Sequence, residues 1–230
     1  MEGLRGRPRR GSVGLARLTG GGAGRGSEAS SVPPVWCNGV MAAERLVVVD
    51  VETTGFAQWD RVVEVAAVTL DARTLAVVDE FETLVDPQRG VGPTAVHGIT
   101  AAMVADAPTF AEIAGLVGDQ LHGSVMVAHN IKFDRRMLEQ EFEQIGPVPD
   151  WGEGICTLGL TGAKLVVACE RYGIVIDGHH RALADARATA ELLRHVLDPE
   201  APTAPVRVSR IAGPRTALPY TREAAARLLA

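Results

Sequence analysis

Between Leu46 and Val85, three runs of aliphatic and β-branched residues follow one another with only short breaks. Leu46 to Val51 and Val62 to Leu70 have the composition of strands buried on both faces. Leu75 to Val85 follows after the turn-like Asp71-Ala72-Arg73-Thr74. Gaps this short leave no room for crossover helices, so the three runs predict an antiparallel meander at one end of a sheet. Downstream the period changes. Thr109 to Leu121 sets Phe110, Ile113, Leu116, Val117 and Leu121 on one side of a helix that Gly123 ends. Ser124 to Ala128 predicts a fourth buried strand, and Lys132 to Ile145 a helix stopped at Gly146-Pro147. A short strand follows, then a helix from Leu158 to Tyr172 stopped at Gly173, and a last one from Arg181 to Leu197. This order predicts an α/β domain, a mixed sheet flanked by helices.

The two ends lack that periodicity. Residues 1–42 are rich in glycine and arginine, with Gly20-Gly21-Gly22 at their centre, and are read as a disordered leader. An Arg-rich, acid-poor leader has the flavour of a transit peptide. An over-extended gene start, with Met41 as the true start, is the simpler reading. Residues 43–197 form the domain. Asp198-Pro199, Pro202 and Pro205 then open a tail, 198–230, whose last stretch, Leu218 to Ala230, has the pattern of one short helix.

Composition excludes several classes. The chain is 230 residues with 47% hydrophobic and 22% charged residues, which suffices for a core and excludes wholesale disorder. No apolar run is long enough for a membrane span. Cys37, Cys156 and Cys169 are scattered without a CxxC pair, so neither a disulfide scaffold nor a structural zinc site is expected, and a reducing cytoplasm fits. Formal net charge is −5. Residues 1–40 hold six arginines and two glutamates, a local +4, which leaves −9 for the body. Such a body does not grip nucleic acid by a broad basic face, but its carboxylates can hold cations at a small site. No GxxxxGK[ST] or GxSxG motif occurs.

The chemistry-bearing residues are acids. Asp50 and Glu52 lie two apart at the end of the first strand and so share a face. Two carboxylates there repel unless a cation or proton neutralises them; a strand end reaching solvent is the plainer reading. Thr53-Thr54-Gly55 follows, a hydroxyl-rich turn able to hold a phosphate or sugar edge. Asp134 opens the helix after the fourth strand, where an acid also serves simply as a dipole partner. Asp185 lies inside the alanine- and leucine-rich start of the last helix, and His180 stands at the loop junction before it. A histidine takes a proton near neutral pH. Hard divalent cations prefer oxygen ligands, and two of them can stabilise both oxygens of a phosphodiester displacement.

VVVDVETTGF, PTAVHGIT, AHNIKFD and HHRALADA resemble, in order and spacing, the motifs of the DnaQ-like 3′–5′ exonucleases of the DEDDh type, the family of the DNA polymerase III epsilon subunit. The resemblance covers about residues 45–197. It implies a ribonuclease H-like fold, a five-stranded mixed sheet flanked by helices. It also implies two Mg²⁺ or Mn²⁺ ions held by Asp50, Glu52, Asp134 and Asp185, with His180 as general base. His180 is the match because four residues separate it from Asp185, and His179 is expected to point elsewhere. Arg181 stands where the sister subfamily places a tyrosine. The backbone of Thr53 and Thr54 is expected at the 3′-terminal nucleotide, with Phe133 and the His97-Gly98-Ile99 loop lining its pocket. Thr161-Gly162-Ala163-Lys164 departs from the family, lacking its proline-containing segment.

The implied activity is hydrolysis at single-stranded DNA 3′ ends, as in proofreading. Two other readings stand beside it. One is an RNA- or oligonucleotide-trimming exonuclease with the same active centre. The other is a polymerase accessory module with a secondary nuclease, whose 198–230 tail docks a DNA polymerase subunit.

Overall fold

The computed structural model describes residues 43–152 and 154–198. The expectations for the leader and the tail, and for Met41 as a start, lie outside these residues. Strand β1 is Arg45–Thr53, β2 Val62–Asp71 and β3 Val77–Leu84. Two one-turn helices that the sequence pattern did not predict follow, α1 (Thr94–His97) and α2 (Ala101–Val104). Then come α3 (Phe110–Leu121), β4 (Val125–Ala128), α4 (Ile131–Glu143), β5 (Ile155–Cys156), α5 (Thr157–Thr161), α6 (Leu165–Arg171) and α7 (Ala182–Leu197).

The sheet order is β3-β2-β1-β4-β5. The predicted meander is present: β1 pairs with β2 and β2 with β3, both antiparallel. The β1–β4 and β4–β5 pairs are parallel, so the sheet is mixed. Period two then sorts the β1 side chains. Val47, Val49 and Val51 face α3 and α4, packing with Phe110, Ile113, Val117, Met137, Leu138 and Phe142. Leu46 and Val48 face α7, packing with Ala182, Leu183, Ala186, Ala190 and Leu193. Small alanines along α7 let the helix lie close to the sheet. Each fully buried leucine there contributes on the order of 1.5–3 kcal/mol.

Helix α3 starts with a capping box, in which the Glu112 carboxylate accepts from the Thr109 N–H at 2.7 Å. The single helix expected over Leu158 to Tyr172 is instead two. Gly162 adopts a left-handed φ of +64° and caps α5, its N–H donating to Leu158 O at 2.8 Å. The chain then turns before α6. A glycine in the left-handed region ends a helix readily, a possibility that apolar spacing alone does not register. Among the described residues, no helix is long and apolar enough to cross a membrane.

Candidate active site

The even-numbered β1 residues face α7, and that parity carries beyond Val48 to Asp50 and Glu52. Asp185 lies in the first turn of α7 and is buried. The carboxylates of Asp50, Glu52 and Asp185 each offer an oxygen within 4.8 Å of the other two. Asp134 approaches from α4, where it occupies the first helical turn and is only 4% exposed. The N–H of Val51, between the two β1 acids, donates to its carboxylate. Three segments of chain, β1, α4 and α7, thus bring the four predicted acids to one end of the central strand.

The electrostatics are those of a crowded anionic site. Burial raises the Asp50 carboxyl well above the usual range, and the charges of Asp134, Asp185, Glu52 and Glu64 raise it further. Glu52 is pushed up to about 8, by burial first and then by Asp185 and Glu64, with Arg181 opposing. Burial also raises Asp134, against hydrogen bonds from its own N–H and that of Val51. Without a cation such a cluster holds protons near neutral pH. The donor set is all oxygen and anionic, which suits hard divalent ions such as Mg²⁺ or Mn²⁺.

One further carboxylate belongs here and was not singled out by the motifs. Glu64 on β2 stands opposite Glu52 in register and is fully buried. Like charges paired across strands repel. Arg181 resolves the conflict: its Nε donates at 3.1 Å to both Glu64 oxygens, and the Ala182 N–H donates to Oε2 at 2.9 Å. The signal in the sequence was an acid amid the apolar run Val62-Val63-Glu64-Val65.

His179 and His180 both reach the site. The expectation that His179 points elsewhere fails: its Nδ1 lies 2.8 Å from Asp185 Oδ1. His180 sits at φ +65°, left-handed and rare for a non-glycine residue, and its N–H donates to Asp185 Oδ2 at 3.2 Å. Two successive residues thus contact one carboxylate, His179 through its ring and His180 through its backbone. The two imidazole rings stand 3.8 Å apart.

The predicted substrate-side residues divide. Thr54 is turned into its own loop: its N–H donates to Arg61 O at 2.8 Å and its hydroxyl to Asp60 Oδ1 at 2.8 Å. A Cβ on Gly92, φ +78°, would fall 2.1 Å from Thr54 O, so only glycine fits there. The expected backbone contact of Thr54 with a nucleotide therefore lacks a free N–H. Thr53 is buried and its hydroxyl donates to Gly55 O. His97 is buried; its Nδ1 accepts from the Ile99 N–H at 3.0 Å, which leaves the neutral ring's proton on Nε2. Burial lowers the pKa of His97. The Phe133 ring packs 5.6 Å from that of Phe56, itself 79% exposed. An aromatic immediately after Thr53-Thr54-Gly55 was the available clue to Phe56.

A protein-family model described as exonuclease, of the RNase T type, matches residues 47–193. The chain is 38% identical over 164 residues to a DNA polymerase III subunit epsilon-like protein of Rhodobacter capsulatus, covering 66% of this chain and 23% of that protein. It is 36% identical over 161 residues to the PolC-type DNA polymerase III of Oceanobacillus iheyensis, covering 65% of this chain and 11% of the relative. The chain thus spans only a small part of these polymerase relatives. Among solved structures it resembles exonuclease X in complex with 5′ overhanging duplex DNA, with 33% identity, a TM-score of 0.54 and coverage of 69% of this chain and 95% of that one. The nuclease domain of 3′hExo, a DEDDh family member bound to rAMP, shares the fold with a TM-score of 0.60 at 18% identity, over 69% of this chain and 94% of that one.

Proposed function

The chain belongs to the RNase T-type exonuclease family, and on that premise we propose that it is a divalent-metal-dependent 3′–5′ exonuclease acting on single-stranded DNA ends. The observation that carries the proposal is the convergence of Asp50, Glu52 and Asp185 within 4.8 Å, with the buried Asp134 held by the Val51 N–H between the two β1 acids.

In this reading Asp50, Glu52, Asp134 and Asp185 would hold two Mg²⁺ or Mn²⁺ ions. When bound, such ions supply Lewis-acid stabilisation of the charge that develops on the phosphodiester oxygens. His180 takes the proton of the attacking water. Its place at the start of α7, with its N–H on Asp185, lets its ring swing over the acids. His179 holds Asp185 Oδ1 on the opposite side. Arg181, fixed on Glu64, anchors the residue after the base. In this reading Phe133, paired with Phe56, offers an aromatic wall to the terminal base, and the His97 loop and Thr53 complete the nucleotide pocket.

The active centre does not choose the sugar. The DNA reading rests on the DNA named with exonuclease X and on the polymerase relatives. Association with a DNA polymerase subunit is part of the same proposal. End-labelled single-stranded DNA, RNA and a mispaired primer, offered in parallel with Mg²⁺ or Mn²⁺, test it. The expected order of rates is single-stranded DNA and frayed primer first, RNA last. Faster RNA trimming would replace the DNA reading with its RNA alternative.

A further inference from the structure

Beyond the acid cluster, loop 54–60 and the turn 86–90 meet the outer side of α4 around a groove of about 440 Å³. Gln58, Trp59, Pro87, Gln88, Arg89 and Gln144 line it. We propose that this groove is a second nucleobase site, which takes a base upstream of the 3′-terminal nucleotide; it rests on the exonuclease reading above.

The Trp59 ring presents a face for stacking. It is 72% exposed in the mouth of a groove, yet its backbone is held firmly. Arg89 Nη1 donates to Trp59 O at 2.6 Å. The next residue, Asp60, closes the loop on both sides: its carboxylate accepts from the Ala57 N–H at 2.7 Å and from the Thr54 hydroxyl at 2.8 Å. A large flat ring presented to solvent on a fixed loop is a stacking platform, because every base offers a π-face.

Side-chain amides flank the ring. Gln58 and Gln88 are exposed beside the ring. Gln88 has φ +54°, the left-handed region, at the tip of its turn, with its N–H on Asp86 Oδ1 at 2.8 Å. Non-glycine residues keep such a conformation where the surroundings demand it, often at ligand sites. Side-chain amides offer both donor and acceptor, which suits a base edge.

The charges of the groove are largely paired within it. Of the two arginines in the lining, Arg61 is taken up by Glu141, its Nη2 2.7 Å from Oε2, and Arg89 by Trp59 O and by Asp60, its Nη1 3.7 Å from Oδ1, while Glu143 adds negative charge. A phosphate would find little attraction here. What remains for a ligand is ring and amide, the chemistry of a base. The Asp60–Thr54 bond ties this groove to the end of β1, so a strand whose 3′ end lies at the acids has a second, nearby place to rest a base.

The test uses the full chain and Trp59→Ala, with Trp59→Phe as the conservative variant. Affinity for a 5′-fluorescein 12-mer of deoxythymidine is read by anisotropy in EDTA, where no cleavage occurs. Hydrolysis of the 12-mer and of the p-nitrophenyl ester of thymidine 5′-monophosphate is read with Mg²⁺. The ester has no upstream base. Trp59→Ala should weaken 12-mer binding and raise its KM about tenfold, within the range seen when a stacking aromatic is truncated. Ester hydrolysis should not change, and Trp59→Phe should restore most of the loss. Because stacking releases no counterions, the loss should be the same at low and high salt. Unchanged 12-mer affinity, or an equal loss on ester and 12-mer, would overturn the site. If the wild type cleaves neither substrate, the exonuclease reading fails, and the EDTA binding data still decide the groove.

Discussion

Arg181 lays its guanidinium along the fully buried carboxylate of Glu64, with Nη2 2.5 Å from Oε1, directly opposite Glu52 across the β1–β2 pair. The pair joins the second strand to the junction that carries His180, and it places a positive charge beside the acids. Removing Arg181 would leave a buried, unpaired Glu64.

Arg181→Ala should therefore destabilise the protein by roughly 3 kcal/mol at neutral pH, the usual cost of breaking one side of a buried pair. Adding Glu64→Gln to that variant should recover part of the loss. Urea unfolding of wild type, both single variants and the double variant forms the cycle that checks this. A purely additive result would mean that the two groups do not interact.

The acid cluster makes stability depend on pH in a definite direction. Glu52 moves from an ordinary value of 4.5 to about 8, and Asp50 and Asp134 also rise. A carboxyl raised in the folded state favours folding below its ordinary value, and that contribution is lost as pH rises through the folded value. In EDTA, Tm should fall between about pH 5 and pH 8.5, and excess Mg²⁺ should remove the fall by neutralising the cluster. A metal-free Tm that rises over this window would contradict the assignment.

Asp50→Asn follows from the same repulsion. It replaces a carboxyl that must take up a proton when the metal-free protein folds, so that protein should gain Tm, by a few degrees for roughly 1 kcal/mol. Nuclease activity should fall by several orders of magnitude. Thermal melts in EDTA and single-turnover assays in Mg²⁺ read the two effects separately. A drop in both would indicate lost packing at Asp50 and not a lost ligand.

The two histidines should separate in kinetics. His180→Ala should lose about 10²–10⁴-fold in single-turnover rate while still binding DNA, the usual contribution of a general base. His179→Ala should cost less, because it orients Asp185 through the 2.8 Å contact and takes no proton from water. The reverse ranking would move the base to His179.

Much of this was legible in the sequence for physical reasons. β1, β2 and β4 are mostly apolar and β-branched, and runs of that kind have few alternatives to a buried strand. Asp50 and Glu52 were legible because two charges interrupt such a run at same-face spacing. Other features depend on conformation. The break at Gly162 and the one-turn helices α1 and α2 are too short for periodicity to show. The turn of His179 onto Asp185 is accompanied by the left-handed φ of His180, which no propensity predicts for a histidine. The inward turn of Thr54 depends on Asp60 and Arg61, six and seven residues on, through a loop closure invisible in local pattern.

The central claim is that four carboxylates hold divalent ions to cut from the 3′ end. One gel tests it: single-stranded DNA labelled at the 5′ end in one lane set and at the 3′ end in another, with Mg²⁺ or with EDTA. With Mg²⁺, the 5′ label should descend as a ladder of single-nucleotide steps while the 3′ label is released at once as mononucleotide; with EDTA, both should stay intact. Cleavage that survives EDTA, or a ladder seen only with the 3′ label, would contradict it.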